Sequence, residues 1–104
     1  VKIHDDARHT TVTDDEGNRA RAARCLVAAD HWWVVELIGQ GDHAASCIER
    51  LKERLRERHA LQVSVAPTDV RPDLGRPFYA SVGFRNDVVD EGARYPMRWR
   101  PDDV

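Results

Sequence analysis

The sequence predicts an α/β fold, α+β in type, with a mostly antiparallel sheet and the element order β-β-β-α-β-α-β. Three observations predict it. Residues 9–38 hold three β-branched or alternating stretches separated by turn residues, which is the pattern of a meander. An amphipathic helix follows at about His43 to His59. After the helix comes a short alternating strand, Leu61 to Ala66. The length of 104 residues fits one domain spanning 1–104, and 41% hydrophobic residues suffice for one modest core.

Each element has its own signal. Val1 to Arg8 is polar and expected to be poorly ordered. His9 to Thr13 is β-branched, and the cluster Asp14-Asp15-Glu16-Gly17-Asn18 stops it in a hairpin turn. The next strand begins at Arg19, with Arg19 and Arg21 on one face and Ala20 and Ala22 on the other. Arg24 falls in line with the alanines, so a bulge or register change is expected there. His31 to Ile38 is apolar on both faces apart from Glu36, as expected of a central strand covered on both sides. Trp32 and Trp33 must point to opposite faces, one into the core and one toward a groove or an interface.

Gly39-Gln40-Gly41-Asp42 breaks the pattern, with Asp42 as the expected N-cap of the helix. Ala44, Ile48, Leu51 and Leu55 then recur at helical spacing beside Cys47, and charged residues fill the opposite face. Strand, helix and strand in this order form a crossover that sets Leu61 to Ala66 beside the central strand. Pro77 opens a short helix, Phe78 to Val82. Phe84 to Val89 reads as a strand, and Ala93 to Trp99 as a last, edge strand, because Pro96 cannot donate to a ladder.

Composition narrows the function classes. Lys plus Arg (16) nearly cancels Asp plus Glu (18), leaving a net charge of −2. That balance argues against a nucleic-acid or anionic-membrane partner. No apolar run approaches the roughly 18 residues of a membrane span, and no charged-then-apolar leader is evident. Cys25 and Cys47 lie far apart, outside any C-x-x-C, so reduced thiols in a cytoplasmic protein are expected. His4, His9, His31, His43 and His59 show no metal-ligand spacing, so no metal site is expected, and His59 reads as a dipole partner at the helix C-terminus.

Gly39-x-Gly41 between a strand and a helix lets a ligand approach the backbone, where free helix amides attract phosphate. The same glycines also serve as a plain turn, and the motif alone favours that reading. It is neither a Rossmann fingerprint nor a P-loop, since the third glycine, the distal acid and a Gly-Lys-Ser/Thr run are absent. Asp42 would repel a phosphate there.

Taken in order, Gly39-x-Gly41, the helix, the Leu61 to Ala66 strand, Val70-Arg71-Pro72-Asp73 and Phe78-Tyr79-x-x-Val82-Gly83-Phe84 resemble the GNAT superfamily of N-acetyltransferases. In that family a strand ends in Gln/Arg-x-x-Gly-x-Gly/Ala, whose amides hold the acyl-CoA pyrophosphate, and a later Tyr-x-x-apolar-Gly-Phe segment supplies a Tyr that protonates the CoA thiolate. Here the first pattern reads Glu36-Leu37-Ile38-Gly39-Gln40-Gly41, with Glu36 in the basic or amide position, and the second is complete at Tyr79, Val82, Gly83 and Phe84. The resemblance spans about Thr10 to Trp99. Two further departures are Leu74, where the family commonly has Asn, and no room for the family's N-terminal strand and two helices.

The resemblance implies a GNAT-like sandwich that moves an acetyl group from acetyl-CoA to a small-molecule or protein amine. It implies Tyr79 as general acid and Glu36 as base, with Leu37, Ile38, Gly39, Gln40, Gly41, Asp42, His43 and Ala44 forming the acetyl-CoA segment. A homodimer that completes the site is a further expectation. The alternative is a non-catalytic α/β binding module that meets a protein partner through an exposed Trp and an edge strand.

Overall fold

A computed structural model describes residues 1–86 and 96–102. Among them, seven strands form one sheet in the order β1-β2-β3-β4-β5-β7-β6. β1 (Lys2–Asp5), β2 (His9–Thr13), β3 (Arg19–Arg24) and β4 (His31–Ile38) form an antiparallel meander. α1 (Gly41–Glu57) then crosses over to β5 (Gln62–Val65), which pairs with β4 in parallel. α2 (Gly75–Ser81) precedes β6 (Arg85–Asn86), and β7 (Met97–Trp99) inserts between β5 and β6.

The core lies on one face of the sheet. Val12, Ala20, Ala22, Trp32, Val34 and Leu37 from the meander meet Ala44, Cys47, Ile48, Leu51 and Leu55 of α1. These are the apolar alternations and the helical stripe of the sequence, so the long-range packing follows the local periodicity. Tyr79, Val82 and Phe84 join the same core from α2 and its exit. Lys52 of α1 ties the helices together by donating to the Val82 carbonyl at 2.7 Å, while its Nζ lies 4.9 Å from the centre of the Trp99 ring.

Several expectations need correction. Val1 to Arg8 is not a loose tail, because Lys2–Asp5 pairs with β2 and Asp5 is gripped by Arg54 of α1 and by Arg58, the C-cap of that helix. Asp42 is not the N-cap: Gln40 is, without a side-chain cap, and Asp42 stands in the first turn. α1 ends at Glu57, with His59 in the left-handed region (φ 66) and Ala60 N–H bonding Leu55 O, a Schellman turn made without glycine. α2 starts at Gly75, so Pro77 sits inside the first turn, where an amide has no helical partner to lose.

The sheet itself brings three more. The register shift lies between Arg21 and Ala22, earlier than Arg24, and the extra residue is Val35 of β4. Arg24 shares the alanine face because its guanidinium lies over the Trp32 ring. β4 is covered on one side only over its second half: Val35 and Ile38 are 47% and 42% exposed. β7 is not an edge strand, and Pro96 precedes it, so no ladder bond is lost. The rest of the expected Phe84 to Val89 and Ala93 to Trp99 strands falls in 87–95, outside the described residues.

Candidate functional site

β4 and β5 are paired only over His31↔Gln62, Trp32↔Val63 and Trp33↔Ser64. β4 runs on to Ile38 while β5 ends at Val65, so the two strands part. The gap is a cleft of about 380 Å³ lined by Trp33, Val34, Val35, Ala66, Asp69 and Val70. Trp32 is buried in the core and Trp33, half-buried, forms one wall, so the adjacent tryptophans divide as their spacing predicts.

The glycine loop lies at the end of β4. Gly39 takes φ 134, and a Cβ added there would come 2.7 Å from Asn18 Oδ1 in the β2–β3 turn. Glycine is therefore required by both backbone and space. Gln40 O accepts from the amides of His43 and Ala44 at 2.8 and 3.1 Å. The amides of Gly41 and Asp42 lie ahead of the first helical bond. Asp42 and His43 are exposed, Ile38 is exposed, and Leu37 and Ala44 point into the core.

Sequence reasoning named Arg71 within the Val70-Arg71-Pro72-Asp73 stretch but gave it no role. Its Nη1 donates to Gly39 O at 2.6 Å and to Leu37 O at 3.4 Å, while Nε and Nη2 fork onto Asp73 at 3.0 and 2.9 Å. That stretch, an Arg two residues before an Asp in a proline turn, is also what an ordinary surface turn looks like.

The two expected acid–base residues are not brought together. Tyr79 is fully buried, and its hydroxyl donates to Val70 O at 2.6 Å, behind the cleft wall. Burial, with the Asp73 charge adding to it and Arg71 opposing, pushes the phenol up to about 12, so it stays protonated at neutral pH. Glu36 forms an ion pair with Arg19 at 3.2 Å and is absent from the cleft lining. Among the described residues no group of three or more His, Cys, Asp or Glu is placed to hold a metal ion. No helix among them is long and apolar enough to cross a membrane. Cys25 and Cys47 are both free thiols.

A parted parallel strand pair, a glycine loop and a helix on the same core define a GNAT-like α+β sandwich, and comparison with solved structures bears this out. A Desulfovibrio desulfuricans protein assigned to the GNAT family of acetyltransferases superposes with a TM-score of 0.65 at 13% identity, covering 89% of this chain and 69% of that one. Tetrahymena GCN5 superposes with a TM-score of 0.60 at 7% identity, covering 91% of this chain and 69% of its own. The likeness is one of fold. No family model and no curated protein sequence matches the chain. β1 is followed directly by β2 through the turn 6–8, with no helix between them.

Proposed function

We propose that the protein is an acyltransferase that binds acetyl-CoA at the parted ends of β4 and β5 and transfers the acetyl group to an amine. The observation that carries this reading is the cleft itself, which opens where the β4–β5 ladder stops, on the strand whose end carries the glycine loop and the N-terminus of α1. The amides of Gln40, Gly41 and Asp42, aided by the helix dipole, fit the diphosphate. The apolar walls Trp33, Val34 and Val35 fit the acyl and pantetheine part. The amine nitrogen attacks the thioester carbonyl, the C–N bond forms and the C–S bond breaks. The departing sulfur takes one proton, and the nitrogen loses one to solvent. Tyr79 is the proposed donor to sulfur, which requires its hydroxyl to turn from Val70 O toward the cleft. With Glu36 held by Arg19, we assign it no base role.

Acetyl-CoA should raise the melting temperature in a concentration-dependent way, since a ligand that binds only the native state must do so. No shift at millimolar ligand would remove the proposal. Tyr79→Phe should lower turnover with acetyl-CoA affinity unchanged if Tyr79 is the donor; unchanged turnover would leave Tyr79 as an anchor of α2. Its complete burial favours a second reading, a GNAT-like binding module without catalysis, for which acetyl-CoA binds and no thiol is released.

A further inference from the structure

We infer that Arg71 is a positioning residue for acyl-CoA: its guanidinium latches the end of β4 to the β5–α2 loop and sets the direction of the amide that follows Gly39. This rests on the function proposed above and adds to it a residue that neither the glycine motif nor the Tyr-x-x-apolar-Gly-Phe segment contains.

Three observations meet at this residue. Beyond Trp33↔Ser64 no ladder bond joins β4 to β5, and Arg71 spans the gap by donating to the carbonyls of Leu37 and Gly39. In a trans peptide the C=O and N–H point in opposite directions. Turning Gly39 O toward Arg71 therefore turns Gln40 N–H to the other side of the loop, while α1 fixes the amides of Gly41 and Asp42. The second observation is backbone strain. Arg71 sits at φ 53, a left-handed conformation that a non-glycine residue keeps only where its surroundings over-determine it. The third is the fork onto Asp73, which uses Nε and Nη2 and so aims Nη1 at the β4 carbonyls. A surface ion pair alone would need neither the strained backbone nor the two carbonyls.

The latch acts on the loop that faces the diphosphate, so its loss should be felt by ligands that carry a diphosphate and not by those that lack one. The test is calorimetric titration of wild type, Arg71→Gln, Arg71→Lys and Asp73→Asn with acetyl-CoA and with acetyl-pantetheine, which has no diphosphate. Arg71→Gln should weaken acetyl-CoA about tenfold and leave acetyl-pantetheine within about twofold. Arg71→Lys should not restore binding, because an ammonium group cannot hold a carboxylate fork and two carbonyls at once. Asp73→Asn, which keeps the guanidinium but loosens its aim, should give a smaller loss with the same ligand selectivity, and it carries the test if Arg71→Gln does not fold. Equal acetyl-CoA affinity in wild type and variants, or equal loss of both ligands, would overturn the latch and leave the proposed function intact. A wild-type protein that binds no acetyl-CoA would overturn both.

Discussion

Where β4 and β5 begin, the ladder is backed by side chains on both sides; where they end, the Arg71 guanidinium spans the gap. At the closed end His31 Nε2 and Ser64 Oγ share a hydrogen bond of 2.8 Å, and Gln62 joins them and accepts from Arg100. On the core side Trp32 lies between the guanidinium groups of Arg24 and Arg58, each 4.8 Å from its ring centre. Arg58 also bonds Thr10 and the His9 carbonyl, and Arg54 and Arg58 hold Asp5. At the open end the loop residues Gln40 and Gly41 are exposed, and the cleft is lined by apolar side chains with Asp69 among them. The difference teaches that, among the described residues, the chain concentrates its side-chain contacts at one end of the strand pair and places the glycine loop and the helix N-terminus at the other.

That contrast can be broken from either end. The largest effect expected is at Trp32, fully buried between two arginines: Trp32→Ala should cost about 3–5 kcal/mol in urea unfolding, enough to unfold a marginal domain. A loss under about 1 kcal/mol would mean that the closed end is not the stability centre. Gly39→Ala comes next. Alanine at φ 134, crowded by Asn18, should cost about 1–3 kcal/mol and also remove the acetyl-CoA shift. Unchanged stability would contradict the tight loop.

Asp5 gives a pH signature to the closed end. Burial pushes its carboxyl up, but hydrogen bonds from Arg54 and Thr10, with the charges of Arg54 and Arg58, outweigh burial and hold it below its ordinary 3.8. A lowered folded pKa gives stability that is complete above the unfolded value and is lost as pH falls through the folded one. Asp5→Asn should therefore lose about 1 kcal/mol at pH 7 and flatten the fall in stability below pH 4. An unchanged acid profile would exclude Asp5 as the group responsible.

Much of this was legible in the sequence, for physical reasons that differ by element. α1 could be read because its apolar stripe recurs at helical spacing, and β2 and β3 because alternation survives in them. β1 could not, since Lys-Ile-His-Asp has no apolar alternation and owes its order to pairing with β2 and to Asp5. The bulge at Val35 was hidden because adjacent valines give no parity to lose. β7 lies between β5 and β6 through long-range pairing that no local pattern encodes. At the site, the glycine loop stood out because Gly39 needs its positive φ, whereas Arg71 acts across the fold on carbonyls that every residue possesses.

The smallest expected effect sharpens the open end. Asp42 is an exposed carboxylate in the first turn of α1, beside the amides proposed for the diphosphate. Asp42→Asn should tighten acetyl-CoA about two- to fivefold at low salt, with the gain fading as salt screens the charge. Weaker binding would mean that the diphosphate lies elsewhere.

Amide chemical shifts recorded during titration with acetyl-CoA test the central claim most directly, because they report both ends of the strand pair in one experiment. The account predicts perturbations concentrated in residues 33–44 and 66–71, the cleft wall, glycine loop and Arg71, with Trp32, Asp5 and Arg58 unmoved. Perturbations centred on the closed end, or none at millimolar ligand, would contradict it.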